Sequence, residues 1–303
     1  MNNIVIKGSL NDFMEFSVKN VQKSFMKKEV LKKISIDLTP GIYALVGTNG
    51  AGKTTLMQIL TGLIPADKGE ILINGVKVNP QDPTFSKRIG YLPQETPIYK
   101  NFSAHKFLLY LATIKGIEKE KRSQKVEEVL RMVNLTESAN SKLKSLSGGM
   151  KRRIGIAQLL LDDTEILIID EPTAGLDPKE RMRFHNLLST ISNEKIVILS
   201  THIMSDISSI AKEILLMEDG QIIKTGTPQA LLSELERMVW SVEATYQELV
   251  DIQLNFQTSS VKQLEGGLHR TRILSKSKPH ERAELDTPEL EDLYLFYLDG
   301  EKI

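Results

Sequence analysis

The chain has 303 residues, 41% of them apolar and 26% charged, with 39 basic residues balanced by 39 acidic ones. That length carries one large domain with an appendage, or two domains, and the even charge leaves no global field to draw the protein to nucleic acid or to an anionic membrane surface. There is no cysteine, so disulfides, thiol catalysis and cysteine metal sites are excluded.

The opening MNNIVIKGSLNDF has no basic region followed by an apolar core, so it does not read as a signal peptide. Residues 1–13 read instead as an extension. From Met14, MEFSVKNV alternates apolar and polar residues as a half-buried strand does, and VLKKISIDLT forms a second strand that stops at the Pro40-Gly41 turn. Ile42 to Val46 is a short apolar strand that runs into a glycine-rich loop and the helix TTLMQILTGL. Past Gln94 the spacing turns helical, over 102–115, over the Lys- and Glu-rich 119–133, and over a third helix between Leu146 and Leu161.

Strand-like runs return at 165–170, 196–200 and 213–217, which predicts a mostly parallel α/β sheet with a helical insertion at about 95–160. From 227 to 303 we expect a small α+β appendage. There, 239–274 reads as strands around a two-residue Gly266-Gly267 hairpin turn, followed by the helix PELEDLYLFYL, capped by Asp286 or Thr287. No run approaches the roughly 18 apolar residues needed to span a bilayer, so any membrane role calls for a partner chain.

Three strings carry chemistry. Gly47-Thr48-Asn49-Gly50-Ala51-Gly52-Lys53-Thr54-Thr55 fits the phosphate-loop pattern. Its glycines let backbone N–H groups converge on phosphate oxygens at a helix N-terminus, Lys53 adds a mobile positive charge, and the Thr54 hydroxyl can ligate Mg²⁺. Ile166 to Ile169 is an apolar run that ends in Asp170 and Glu171. Beside a phosphate loop, Asp170 suits the Mg²⁺ ion, and Glu171 suits the general base for a water attacking the γ-phosphate. In Leu146-Ser147-Gly148-Gly149-Met150, a serine and two glycines open a helix. That reads either as a second anion site or as a plain N-cap.

Together with Gln94 in YLPQ, Ala174-Gly175-Leu176-Asp177 and His202 in STHIMSD, these strings make the segment from about Met14 to Gly226 resemble an ABC-type ATPase. The resemblance implies a P-loop NTPase core with a mostly parallel sheet, an antiparallel β subdomain and a helical subdomain, and it implies ATP and Mg²⁺ as ligands. It implies a head-to-tail dimer, with a second copy or with another ABC ATPase. In that dimer Ser147, Gly148 and Gly149 meet the γ-phosphate of ATP held by the opposite phosphate loop, and Asp177 lies at the seam. Gln94 would touch Mg²⁺ and the attacking water, His202 the γ-phosphate, and Phe25 would stack on adenine where relatives more often carry Tyr.

Met150 stands where the family most often has Gln. The run Lys151-Arg152-Arg153 reads as a solvated or interface face rather than a nucleic-acid patch. The implied partner is an integral-membrane permease docking near residues 95–110, which would place the chain on the cytoplasmic face of the cell membrane. The appendage resembles those of exporters of drugs, antimicrobial peptides or lantibiotics. An importer ATPase, or an ABC ATPase acting on ribosomes or DNA, is the alternative.

Overall fold

The computed structural model describes residues 14–94, 99–173, 175–201, 203–204 and 207–298. The expected extension, residues 1–13, lies outside them. The chain forms three sheets, the first two interleaved in sequence because β3 of the second falls between β2 and β4 of the first. The first is antiparallel, in the order β2-β1-β4-β5, from β1 (Phe16–Phe25), β2 (Lys28–Leu38), β4 (Lys68–Ile73) and β5 (Val76–Val78). The second has six strands in the order β10-β9-β3-β8-β7-β6. These are β3 (Gly41–Gly47), β6 (Ile89–Leu92), β7 (Ile166–Ile169), β8 (Ile196–Ser200), β9 (Glu213–Glu218) and β10 (Gln221–Gly226). All its pairings are parallel except β9 with β10.

The inner strands β3, β7 and β8 are apolar and buried almost throughout because both faces are covered. Ile42, Ala44, Val46, Leu167, Ile169, Val197 and Leu199 enter one core, with helices α2 (Ala104–Ile114), α3 (Lys119–Met132), α4 (Gly148–Leu159) and α5 (Pro178–Ile191). Their neighbours Tyr43, Leu45, Ile166, Ile168, Ile196 and Ile198 enter the other, shared with the first sheet and α1 (Lys53–Leu60). The period of two in the pleat therefore sorts one apolar sequence into two cores.

After β10 come α6 (Pro228–Ser233), β11 (Val239–Ala244), α7 (Tyr246–Asn255), β12 (Gln257–Gln263), β13 (His269–Leu274), β14 (Glu284–Leu285) and α8 (Leu290–Leu298), and the third sheet is ordered β12-β13-β11-β14. Three readings of this region are corrected. Residues 246–255 are helical, not a strand. Thr245 and Glu248 close a capping box at the start of α7, and Leu249 and Ile252 bury one helical stripe. The hairpin loop is wider than two residues: Leu264 N donates to Leu268 O (2.8 Å), and Glu265, Gly266 and Gly267 turn between them, with Gly266 at φ 77° and Gly267 at φ 79°. Neither Asp286 nor Thr287 caps α8. Asp286 pairs with Arg272 (2.9 Å), and the fully buried Asp292 accepts from Glu289 N (2.8 Å).

The appendage adds to the first core, which Leu231, Leu235, Val239, Leu274, Leu290, Leu293 and Leu298 enter as well. Among the described residues, no helix is long and apolar enough to cross a membrane.

Candidate active site

β3 delivers the chain to a loop whose first glycine is dictated by close approach. A Cβ at Gly47 would lie 2.2 Å from the carbonyl oxygen of Met217 on β9. Gly52 has a φ of 106° as the residue opening α1, and no side chain caps that helix. Its first-turn N–H groups therefore carry the partial positive charge of a helix start. Lys53 is 9% exposed, and its ammonium donates to the carbonyls of Gly47 (2.7 Å) and Thr48 (3.0 Å). Burial holds that ammonium below the usual lysine range, and the Glu171 and Asp170 carboxylates act in the opposite direction.

Those carboxylates come from the end of β7. Asp170 N donates to Leu92 O on β6 (2.8 Å), and the buried carboxylate accepts from the Ser200 hydroxyl at the end of β8 (2.5 Å). Ser200 Oγ in turn accepts from Glu171 N (2.9 Å), which helps to hold Glu171 at φ 45°. A backbone turned into the left-handed region immediately after a strand re-aims the following carboxylate. Ser200 was not singled out in the sequence, although it directly precedes the threonine and histidine of STHIMSD.

These elements enclose a cavity of about 580 Å³, lined by Gly47, Asn49, Gly50, Gly52, Lys53, Thr54, Thr55, Gln94, Asp170 and Glu171, with Val30 and Tyr294. Most of the expected phosphate-site residues therefore share one wall-to-wall space. A loop rich in N–H groups and a buried cation face two carboxylates across it, an arrangement suited to holding a polyphosphate and drawing a proton from water beside it. Val30 and Tyr294 were not expected there.

Other expected residues lie elsewhere. Phe25, 47% exposed at the end of β1, carries the Lys23 ammonium 5.5 Å from its ring centroid and is not on the cavity wall. Ser147 caps α4, accepting from Met150 N (3.2 Å), with Gly148 exposed beside it. Gly149 packs on α5, where an added Cβ would lie 3.0 Å from Glu180 Cγ. Asp177 caps α5 by accepting from Glu180 N (2.9 Å). His202 and Ala174 lie outside the described residues.

The basic run is the clearest correction. Arg152 and Arg153 are each 9% exposed. The Arg152 guanidinium donates to the carbonyls of Pro93 (2.9 Å), Gln94 (2.8 Å), Asp170 (2.6 Å) and Pro172 (3.1 Å). Burial pulls its pKa down to about 10, against the pull of Asp170 and Glu171, so it stays charged at neutral pH. Arg153 donates to the carbonyls of Val133 (2.9 Å) and Asn134 (2.8 Å) and pairs with Glu180 (2.8 Å). Convergent carbonyls at the ends of other elements replace the water that a surface arginine would keep.

The chain matches the family model described as ABC transporter over residues 31–174. It is similar to the linearmycin resistance ATP-binding protein of Bacillus subtilis, 36% identical over 221 residues, which is 71% of this chain and 70% of that protein. It is also similar to the Nod factor export ATP-binding protein I of Rhizobium etli, 34% identical over 218 residues, 71% of this chain and 69% of that one. Among solved structures, the dimeric post-hydrolysis state of an ATP-binding cassette bound to ADP and Pi superposes with a TM-score of 0.64 at 25% identity, over 70% of this chain and 98% of that chain.

Proposed function

The chain belongs to the ABC transporter ATP-binding family and is an ATP hydrolase, and from that premise we propose that it closes on ATP as a head-to-tail dimer to drive export through a separate membrane permease. The observation that carries this reading is the division of the site. Lys53, Thr54, Gln94, Asp170 and Glu171 line one cavity, while Ser147 and Gly148 stand exposed at another surface of the same chain. The solvent-facing start of α4 is then complementary to the triphosphate held by a second subunit, with Asp177 at the seam.

The Thr54 hydroxyl, the Gln94 amide and the Asp170 carboxylate offer an all-oxygen donor set on the cavity wall. A small hard cation takes such a set together with phosphate oxygens and water, so these residues would hold Mg²⁺, which neutralises charge on the β- and γ-phosphates when bound. In hydrolysis, Glu171 takes a proton from the water as its oxygen bonds to the γ-phosphorus and the bond to the β-phosphate oxygen breaks. Lys53 and the loop N–H groups hold the phosphate oxygens meanwhile. His202 would add a hydrogen bond to the γ-phosphate.

We keep the division into an ATPase unit over 14–226, with its helical part at about 95–160, and an accessory unit over 227–303. The permease would dock beside Gln94. There Tyr99, 53% exposed, sits 5.2 Å from the Phe102 ring and 5.6 Å from that of Tyr110, which is 41% exposed. A cluster of half-open aromatics suits an inserted helix of a partner. Export rather than import is favoured by the relatives, one named for Nod factor export and one for linearmycin resistance. Drugs, antimicrobial peptides and lantibiotics are the cargo classes we propose.

The test is Glu171→Gln, which keeps the side chain's size and removes the base. With ATP it should elute as a dimer from size-exclusion chromatography. A profile that stays monomeric at saturating ATP would remove the sandwich.

A further inference from the structure

We propose that Ser200 is a positioning residue for hydrolysis, whose single hydroxyl sets both the cation-binding carboxylate of Asp170 and the backbone that carries Glu171. This deepens the nucleotide-site reading above and rests on the roles given there to Asp170 and Glu171. The placement begins in the sheet. β8 lies between β3 and β7, with Leu199 opposite Ile169, and with Ser200 opposite Leu45, two residues before Gly47. The alternation along β7 and β8 sends Ile168 and Ile198 into the core shared with α1. Asp170 and Ser200 stand two residues further along, so they emerge side by side on that same face, at the strand ends that adjoin the phosphate loop.

A hydroxyl at that position calls for a reason. Ser200 is fully buried and ends the run Ile196, Val197, Ile198 and Leu199, where an apolar side chain would continue the strand with no polar group to satisfy. Its two hydrogen bonds supply the reason. A backbone N–H can only donate, so Ser200 Oγ accepts from Glu171 N (2.9 Å), and its own proton goes to Asp170 Oδ1 (2.5 Å). With Oδ1 engaged the carboxylate is held against rotation, and Oδ2 is left as the donor for a cation. Glu171 stands at φ 45°, a conformation that a non-glycine residue keeps only where its surroundings impose it. Ser200 binds the N–H of that residue, while Arg152 holds the carbonyls of Asp170 (2.6 Å) and Pro172 (3.1 Å) on either side of it. Loss of the hydroxyl therefore loosens the cation ligand and the base together, while the phosphate loop keeps the Lys53 bonds to its own carbonyls.

The experiment titrates the full chain calorimetrically with ATP, once in excess EDTA and once with Mg²⁺, and follows steady-state hydrolysis against Mg²⁺ concentration. Ser200→Ala should bind metal-free ATP as the parent does and bind ATP with Mg²⁺ about tenfold more weakly. At saturating Mg²⁺ it should hydrolyse at least about tenfold more slowly, as expected when a partner that orients a cation ligand is lost. Ser200→Thr and Ser200→Val match in volume and differ in the hydroxyl, so the threonine variant should follow the parent and the valine variant the alanine one. An alanine variant with the parent's Mg²⁺ dependence and maximal rate would overturn the proposal. So would an equal loss of ATP affinity with and without Mg²⁺, equal rates in folded threonine and valine variants, or an alanine variant that gives no cooperative urea melt. If the added methyl unfolds both β-branched variants, the alanine titrations decide alone. A parent chain that binds and hydrolyses ATP equally well in EDTA and in Mg²⁺ refutes the cation role of Asp170 and this proposal with it. A parent that depends on Mg²⁺ beside an unchanged alanine variant refutes only the role of Ser200.

Discussion

α1 and α4 both begin after a glycine-rich turn, yet their first turns meet different surroundings. No side chain caps α1, which opens into a cavity faced by two carboxylates and a buried lysine, whereas Ser147 closes the first turn of α4 and Gly148 is exposed beside it. A helix dipole and free N–H groups are common to both starts, so they do not by themselves make a site. The concavity and the opposed charges make one, and α1 has them within the chain. Whatever α4 contacts at its exposed start comes from outside it.

The largest effect should come from the cavity side. Lys53→Ala removes the one lysine among its described lining residues, and steady-state hydrolysis should fall at least about a hundredfold; turnover at the parent rate would dissolve the contrast between the two helices. Arg152 joins them, since it rises from α4 and holds the carbonyls of Gln94 and Asp170. Arg152→Ala leaves buried acceptors without donors and should lower unfolding free energy by about 3 kcal/mol in urea melts, with hydrolysis reduced as well. A melt matching the parent would mean that water replaces the guanidinium. Ser147→Ala is the finest probe. It should lower stability by about 1 kcal/mol through the lost cap and leave nucleotide binding by the monomer unchanged, while slowing hydrolysis about tenfold under conditions that allow dimers. Slower hydrolysis together with weaker monomer binding would place Ser147 inside its own chain's site.

The phosphate loop and the Asp170-Glu171 pair were legible because their chemistry forces residue types into short strings. The buried strands were legible because a sheet covered on both faces leaves continuous apolar runs. Arg152 was not, since nothing local in Lys151-Arg152-Arg153 says that four carbonyls from two other segments will converge on one of its guanidinium groups. The helix α7 was missed although Thr245 and Glu248 spell a capping box in plain sequence; alternation in the flanking strands drew the period of two across it. Tyr294 was read only as part of an apolar helix. Its place on the cavity wall depends on how the accessory sheet docks, and no sequence pattern encodes that docking. Val30 was hidden for the opposite reason, as an ordinary strand residue whose neighbourhood is set by the fold around it.

The glycines carry a further consequence, in terms of which substitutions the gene can tolerate. At position 47 every other amino acid brings a Cβ against the Met217 carbonyl, so any missense change there damages the isolated chain itself. At position 148 an added Cβ would find no atom within 4 Å. A change that is harmless to the folded monomer yet purged from living cells at that codon would record the touch of a second molecule, and selection would be reading an interface that one chain alone cannot display.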